Sequence, residues 1–246
     1  MRLYLGLIRN NKILAGREDK NSSLFVIATI IVFLLMHNSN IRGSEDMIKL
    51  PKARKKSEVS LEEAIEKRRS VRSFLSKDLK PEEISQLLWA AQGITDQERG
   101  LRSAPSAGAC YPLEVYVVKG DGLFHYIPQT HSLETINRED LRSQLREACL
   151  GQSFVEGAPV NIVICAVFER VTDRYGSRGE RYVYMEAGHC AQNIHLQAVG
   201  LGLASVPVGA FNDRMVKRIL NLPEDCQPPY VIPVGYSTSE VEHNPN

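Results

Sequence analysis

Six consecutive residues near the start of the globular part of the chain carry groups that bind phosphate. They read Lys67-Arg68-Arg69-Ser70-Val71-Arg72 and contain one ammonium group, three guanidinium groups and one hydroxyl. Guanidinium groups form planar, bidentate hydrogen bonds with phosphate oxygens, and a serine hydroxyl adds a donor without adding charge. A basic run is also typical of a solvated helix face that binds nothing. We call residues 67–72 the phosphate clamp, as a hypothesis to be weighed against that alternative.

A segment of small residues lies between a predicted helix and a predicted strand. Residues 101–112 read LRSAPSAGACYP, with two prolines and one glycine. Small residues let the backbone approach a flat ligand closely, so that its amides can hydrogen-bond the ligand. The alternative is an ordinary irregular loop.

Glu186 and His189 have the E-x-x-H spacing found in carboxylate-bridged di-iron bundles. That chemistry needs a second such motif, and the sequence contains none. A structural glutamate and a structural histidine are therefore favoured, and no metal is predicted. The five cysteines are dispersed without a C-x-x-C pair, which is typical of buried free thiols in a reducing compartment.

The composition excludes few classes but disfavours several. The chain has 246 residues, 43% of them hydrophobic, which is ample for a buried core. A net charge of +1 does not favour nucleic-acid binding, and we predict none. No G-x-G-x-x-G motif follows a predicted strand, and no Walker or G-x-S-x-G motif is present. A Rossmann dinucleotide site and a hydrolytic nucleophile are therefore not supported.

Residues 24–36, LFVIATIIVFLLM, form an uninterrupted apolar run. The run is shorter than the roughly 20 residues that span a bilayer, and it has the length of a signal-peptide core. No small-x-small cleavage site follows it, and basic residues flank both sides, so charge does not orient it. We expect a membrane-anchored or cytoplasmic protein, with membrane attachment through this run. Met47 as the true start is the alternative.

Local signals predict an α+β order of elements. Ser60 and Glu63 form a capping box that starts a helix from Leu61 to Arg69. Asp121-Gly122 is a hairpin turn, and the apolar residues 160–168 predict a strand buried on both faces. The remaining predicted elements are helices at 81–93, 139–150, 178–201 and 213–220 and strands at 113–119, 123–127, 204–208 and 229–234. We divide the chain into an N-terminal segment (1–46), a basic linker (47–59), a single domain (60–236) and a C-terminal tail (237–246).

Three segments resemble the flavin-binding segments of the nitroreductase superfamily, in the same order and spacing. They are residues 66–74 (EKRRSVRSF), 104–108 (APSAG) and 205–211 (SVPVGAF). Residues 86–95 (QLLWAAQGIT) and 186–193 (EAGHCAQN) are similar to the SagB-type dehydrogenase branch, whose best-known members oxidise thiazolines and oxazolines in peptides. The resemblance covers about residues 48–236.

The resemblance implies a nitroreductase-like three-layer fold, in which helices flank a central, mostly antiparallel sheet. It also implies an intertwined homodimer with FMN between the subunits. By the same resemblance, Arg68, Arg69 and Arg72 would hold the FMN phosphate, with Ser70 near the phosphate or the ribityl chain. The isoalloxazine would be lined by Pro105, Ser106, Ala107 and Gly108. The third segment would border the flavin through Pro207, Val208, Gly209 and Ala210, with amides around the last two facing N5.

Three positions depart from the family pattern. Ala109 stands where many nitroreductases have an asparagine, and residues 235–238 (GYST) stand where the family often has a basic residue near the phosphate. Thiazoline-oxidising relatives use a Lys-Tyr pair as base, whereas this chain has Arg174-Tyr175. An arginine is not a base at neutral pH, so Tyr175 is left as a candidate acid. We take both residues as catalytic candidates.

The expected function is that of an FMN-dependent oxidoreductase with ping-pong hydride transfer. A reduced nicotinamide or a small organic substrate reduces N5 and leaves, and a second substrate reoxidises the flavin. The first alternative is a non-catalytic flavin-binding partner protein of a membrane-associated peptide-modification complex. The second is a di-metal oxidase built on the long helix.

Overall fold

The computed structural model describes residues 46–238. A short 3₁₀ turn, Ala107–Ala109, precedes the first long strand of the sheet. The other elements follow in chain order as β1 (Met47–Lys49), α1 (Leu61–Lys67), α2 (Pro81–Gln92), β2 (Ile94–Asp96), β3 (Leu101–Arg102), β4 (Leu113–Lys119), β5 (Gly122–Ile127), β6 (Ser132–Asn137), α3 (Arg142–Ala148), α4 (Ser153–Gly157), β7 (Val160–Val167), α5 (Glu169–Tyr175), α6 (Arg178–Gly200), β8 (Ala204–Ser205), α7 (Asp213–Ile219) and β9 (Cys226–Gly235).

The centre of the fold is an antiparallel sheet. Within the described residues, seven strands pair in the order β1-β6-β5-β4-β7-β9-β8, and β2 and β3 form a separate hairpin. Each pair of neighbouring strands in the large sheet runs antiparallel. This confirms the predicted α+β fold, with a central antiparallel sheet between helices.

The sheet is covered on both faces because alternate residues of its central strands enter different cores. All of β7 is buried, as its continuous apolar run predicted. Ile162 and Ile164 enter a first core with residues of α2 and α6. Val163 and Cys165 enter a second core with residues of α3, α4 and α7. The period of two residues along the strand thus produces three layers.

Helix α6 is the central helix of the first core. Its 23 residues span roughly 34 Å, since an α-helix rises about 1.5 Å per residue. Val183, Ala187, Ile194 and Ala198 recur at helical spacing and are fully buried. The helix ends one residue before the predicted end, and Gly202 takes a left-handed φ of 69° just after it. The chain can therefore turn directly into β8.

Most of the phosphate clamp, residues 68–72, lies on an extended segment that follows α1. The Ser60 side chain caps α1 by accepting a hydrogen bond from the Glu63 amide, and the helix ends at Lys67 instead of Arg69. Beyond it, the Val71 amide donates to the Ser205 carbonyl (3.1 Å). The Leu75 amide donates to the Tyr236 carbonyl (2.8 Å). These bonds fix the clamp along β8 and the end of β9.

The residues predicted as a basic linker, 47–59, pack against the domain. Strand β1 extends the sheet by pairing with β6, and Leu50 enters the first core. The Pro51 carbonyl accepts a hydrogen bond from the Ser85 hydroxyl (2.5 Å). The polar composition of residues 47–59 predicted a linker, because composition does not reveal the main-chain hydrogen bonds that hold this segment to the domain.

The predicted anchor run, 24–36, and the rest of the predicted N-terminal segment up to Glu45 lie outside the described residues, as does the tail from 239 onward. Among residues 46–238, no helix is long and apolar enough to cross a membrane.

Candidate functional site

A pocket of about 400 Å³ lies between α1, the C-terminal half of α6 and the ends of β8 and β9. This volume is in the range of small-molecule sites, about 300–1,000 Å³. Most of its wall is apolar, and its basic side chains come from the end of α1. We call it the basic pocket. Its lining residues are Val59, Glu63, Lys67, Arg68, Arg69, Val71, Leu75, His195, Val199, Gly202, Leu203, Ala204, Ser205, Tyr236 and Ser237.

The three basic residues of the pocket differ in how they are bonded. Lys67 forms an ion pair with Glu63 at 2.7 Å. Arg69 is exposed and donates through Nη1 to the carbonyls of Glu66 (2.6 Å) and Arg68 (2.9 Å). With other described residues, Arg68 forms no ion pair or side-chain hydrogen bond. Its guanidinium is therefore the one best placed to bind an anion.

Arg72 lies away from the basic pocket. Its guanidinium carbon is 5.8 Å from the centroid of the Phe154 ring, and Phe154 packs against the second core. Val71, its neighbour, lines the pocket. The clamp is thus divided between two surfaces, the basic pocket and the surface beside Phe154.

The third predicted segment, 207–210, borders the side where Arg72 lies. Val208 is buried and exchanges two main-chain hydrogen bonds with Val231 (2.8 and 3.0 Å). Pro207, Gly209 and Ala210 are exposed. The Ala210 carbonyl accepts a hydrogen bond from Gln152 Nε2 (3.0 Å). The structure thus joins Arg72 and this segment through residues 152–154.

The small-residue loop meets the two catalytic candidates. Arg174 Nη1 donates to the Gly108 carbonyl (3.1 Å). A Cβ at Gly108 would lie 2.6 Å from both Arg174 Nη1 and the Tyr175 hydroxyl oxygen. Gly108 has a φ of 59°, and Ala109 and Tyr111 also have left-handed φ values, of 53° and 47°. This part of the loop holds two non-glycine residues in a strained backbone conformation.

In one chain, this loop is distant from the basic pocket. The loop passes α6 beside Glu186, whereas the pocket is lined by His195 and Val199 of the same helix. His195 lies nine positions after Glu186 on this helix, which places the two residues roughly 13 Å apart along the helix axis. Of the three predicted flavin segments, the structure brings together the first and third but not the second.

Glu186 is buried without strong partners. It is 2% exposed, and neither of its carboxylate oxygens has a hydrogen-bond partner among the described residues. Burial raises its pKa to about 7, and the nearby Ser106 hydroxyl and Arg102 charge oppose this only partly. His189 is exposed, so the E-x-x-H pair does not converge on one site. Residues 46–238 contain no group of three His, Cys, Asp or Glu side chains placed to hold a metal ion.

His195 was not singled out from the sequence. It is 3% exposed, and its Nδ1 lies 2.7 Å from the Ser205 hydroxyl oxygen. Its Nε2 has no hydrogen-bond partner among the described residues. Burial and the adjacent Arg68 charge lower its pKa to about 4. The available signal was its place on the buried stripe of α6, beside Ile194 and Ala198.

A model of the nitroreductase family matches residues 65–236. A protein of Methanocaldococcus jannaschii that carries the name of a nitroreductase is 47% identical over 184 residues, covering 72% of this chain and 91% of that protein. The microcin B17-processing protein McbC of Escherichia coli is 30% identical over 160 residues, or 61% of this chain and 59% of McbC.

Solved structures agree with these sequence matches. The crystal structure of a protein of Ralstonia eutropha, also described as a nitroreductase, superposes with a TM-score of 0.73 at 33% identity and covers 80% of this chain and 91% of that one. A chain of the E. coli microcin synthetase McbBCD complex superposes with a TM-score of 0.62 at 24% identity, covering 96% of this chain and 82% of that one. The second likeness concerns the fold alone.

Proposed function

This chain belongs to the nitroreductase family, and from that premise we propose that it is an FMN-dependent oxidoreductase of the SagB-type branch. The family match and the similar proteins support an oxidoreductase of this family. The proposal adds FMN as the cofactor, with its phosphate in the basic pocket. Bound FMN would supply hydride transfer at N5 in a ping-pong reaction.

The observation that carries this proposal is the basic pocket itself. Arg68 presents a guanidinium to a cavity whose other walls are largely apolar. Such a group forms charge-assisted, bidentate hydrogen bonds with a phosphate monoester. The Ser70–Ser205 bridge lies at the same end of the sheet, so Ser70 is placed beside the pocket. The residues present therefore fit the phosphate end of FMN.

The other side of the clamp fits the flat end of the cofactor. Arg72 lies near the exposed segment 207–210, as described above. Exposed amides at Gly209 and Ala210 can donate hydrogen bonds to ring heteroatoms. Exposed Pro207 supplies an apolar surface that excludes water from one face of a planar ligand. The chain's own part is thus to bind and orient the ring.

We propose that a second copy of the chain completes the site. The loop formed by Pro105, Ser106, Ala107 and Gly108 lies beside Glu186, roughly 13 Å along α6 from the basic pocket, and the loop of a partner subunit would cover the ring. Exposed apolar side chains on α1 and α6 support such an interface, among them Leu61, Ile65, Tyr184 and Met185. We therefore propose a homodimer with one flavin site at each junction.

Arg174 and Tyr175 are the proposed catalytic residues because they contact the loop at Gly108. Arg174 orients the loop through its hydrogen bond to the Gly108 carbonyl. Tyr175 holds a phenolic proton beside the same glycine and would donate it to a substrate. The proposed substrates are a reduced nicotinamide or a small organic molecule.

A second candidate function follows from the McbC match. McbC is named as a processing protein, and the matched structure is a complex of several proteins with a truncated pro-microcin bound. The arginine at position 174 removes the lysine that thiazoline-oxidising relatives have. The second candidate is therefore a non-catalytic flavin-binding partner in a peptide-modification complex.

One experiment separates these functions. The full chain is purified, its visible spectrum is recorded, and the chromophore released on heating is identified. We expect about one FMN per chain, anaerobic bleaching by NADH or NADPH, and recovery on addition of an acceptor. Bound flavin that neither nicotinamide nor an azoline peptide changes would favour the non-catalytic partner. A colourless protein that refuses added FMN would overturn the cofactor assignment.

A further inference from the structure

We propose that His195 is a proton-linked binding residue of the basic pocket, which takes up a proton when a phosphate monoester dianion binds there. The inference deepens the proposed function and rests on it, because FMN is the phosphate monoester concerned. No covalent bond changes; one proton passes from solvent to the imidazole as the dianion enters.

The first support is the position of His195. It lines the basic pocket on its inner side and is almost completely buried. Its Nδ1 is held by the Ser205 hydroxyl at 2.7 Å. The carbonyl of Ser205 in turn accepts the hydrogen bond from the Val71 amide. The imidazole is therefore tied through one residue to the phosphate clamp.

The second support is the unpaired ring nitrogen. A neutral imidazole has one donor and one acceptor nitrogen. If the Ser205 hydroxyl donates to Nδ1, then Nε2 carries the hydrogen and is a buried donor without a partner. Buried polar groups in proteins are nearly always paired, and an exception indicates a missing ligand or a functional strain. An anion in the pocket would accept a hydrogen bond from Nε2 and so pair this donor.

The third support is the balance of charge around the pocket. A phosphate monoester carries close to two negative charges at neutral pH. Lys67 is already paired with Glu63, and Arg69 donates to main-chain carbonyls. Tyr236, the titratable residue on the β9 side, contributes no positive charge. Arg69 keeps its charge but is exposed to solvent, whereas Arg68 has no ion-pair partner among the described residues. A protonated His195 would add a second positive charge on the buried side of the pocket.

The electrostatic direction of the coupling follows. In the empty pocket, burial and Arg68 keep the pKa of His195 near 4, so the ring is neutral at pH 7. A dianion beside Arg68 reverses the local potential and favours the charged imidazole. Binding then raises the pKa of His195, and FMN affinity increases as the pH falls toward 6.

Calorimetric titration of the apo form of the full chain with FMN tests this, in buffers of different ionisation enthalpy between pH 6 and 8. FMN has its own phosphate ionisation, but that contribution is common to the wild type and the His195→Gln variant. We expect wild type to take up about half a proton more per FMN than His195→Gln. By linkage this corresponds to about a threefold tighter dissociation constant for each unit of pH decrease. Riboflavin, which has no phosphate, should show no such difference.

The outcomes are distinct. Equal proton uptake by wild type and His195→Gln would overturn the role of His195 while leaving FMN binding intact. Absence of FMN binding by wild type would instead refute the proposed function. If His195→Gln does not fold, ¹⁵N NMR of the His195 ring in wild type, with and without FMN, gives the answer directly. A ring that stays neutral at pH 6.5 with FMN bound would also overturn the proposal.

Discussion

Ser70 and Ser205 form a parallel bridge in which the Val71 amide donates to the Ser205 carbonyl over 3.1 Å. This contact joins the phosphate clamp to the segment that leads into Pro207. Two stretches of sequence that lie far apart in the chain thereby border one surface. The hydroxyl of the same Ser205 contacts His195 in the basic pocket. Its backbone and its side chain therefore serve two parts of the proposed site.

Val71→Pro removes the amide donor of that bridge and is expected to destabilise the fold by about 1–3 kcal/mol, since a buried carbonyl loses its partner. FMN binding should weaken as well, because the clamp is no longer fixed. Urea unfolding and fluorescence titration with FMN measure the two effects. Val71→Ala keeps the amide and is the matched control. Equal FMN affinities for the two variants would contradict the role of the bridge.

Arg68→Ala is expected to weaken FMN binding by about 1.5–3 kcal/mol, the range for a charge-assisted hydrogen bond. Arg72→Ala should fall in the same range if it contacts the ring end of FMN. Arg69→Ala is the matched control and should have a smaller effect, because its guanidinium is exposed and already donates to two carbonyls. Dissociation constants by flavin fluorescence check this order. A larger loss for Arg69→Ala would show that Arg69, rather than Arg68, is the main phosphate contact.

Gly108→Ala is expected to destabilise the loop by about 1–2 kcal/mol, since an L residue at φ 59° is strained. The new Cβ would also displace Arg174 and Tyr175, which should lower the rate of flavin reduction. Gly157→Ala is the control, because a Cβ there meets no atom within 4 Å. Thermal unfolding and stopped-flow reduction are the measurements. An unchanged rate of flavin reduction in Gly108→Ala would show that the positions of Arg174 and Tyr175 do not matter for catalysis.

Glu186→Gln is expected to remove a pH dependence of stability. The pKa of the Glu186 carboxyl is raised to about 7 from its ordinary value of 4.5, so the folded state binds more protons than the unfolded state in that interval. The stability that protonation confers is present below pH 4.5 and is lost as the pH rises through 7. The loss is on the order of 3 kcal/mol.

Urea unfolding of wild type at pH 5 and pH 8, compared with Glu186→Gln, isolates this contribution, because other titrating groups are common to both proteins. Glu180→Gln, on the exposed side of the same helix, is the control and should follow wild type. If the stability of Glu186→Gln still falls by the full wild-type amount between pH 5 and pH 8, then Glu186 is already ionised at pH 5 in the folded wild type.

Much of the fold was predictable because it depends on local patterns. The continuous apolar run at 160–168 predicted a strand buried on both faces, and the structure has β7 at Val160–Val167. The apolar periodicity after Arg178 predicted the long helix to within one residue of its end. Strands β1 and β6 were not predicted. Strand β1 is only three residues long, and the pairing of β1 and β6 depends on main-chain hydrogen bonds with each other and with β5 rather than on a distinctive composition.

The sequence by itself determined which residue types are available for binding, because charge, donor geometry and small side chains belong to the residues. Only the tertiary structure decided which of them meet. It placed Arg68 in the wall of the basic pocket and Arg72 beside Phe154, because the chain leaves α1 after Lys67 and then pairs with β8 at Ser70. It also brought His195 to Ser205, through the packing of α6 against β8. His195 and Ser205 are only ten residues apart, but whether they meet depends on how α6 packs against β8, and no local pattern in the chain encodes that packing.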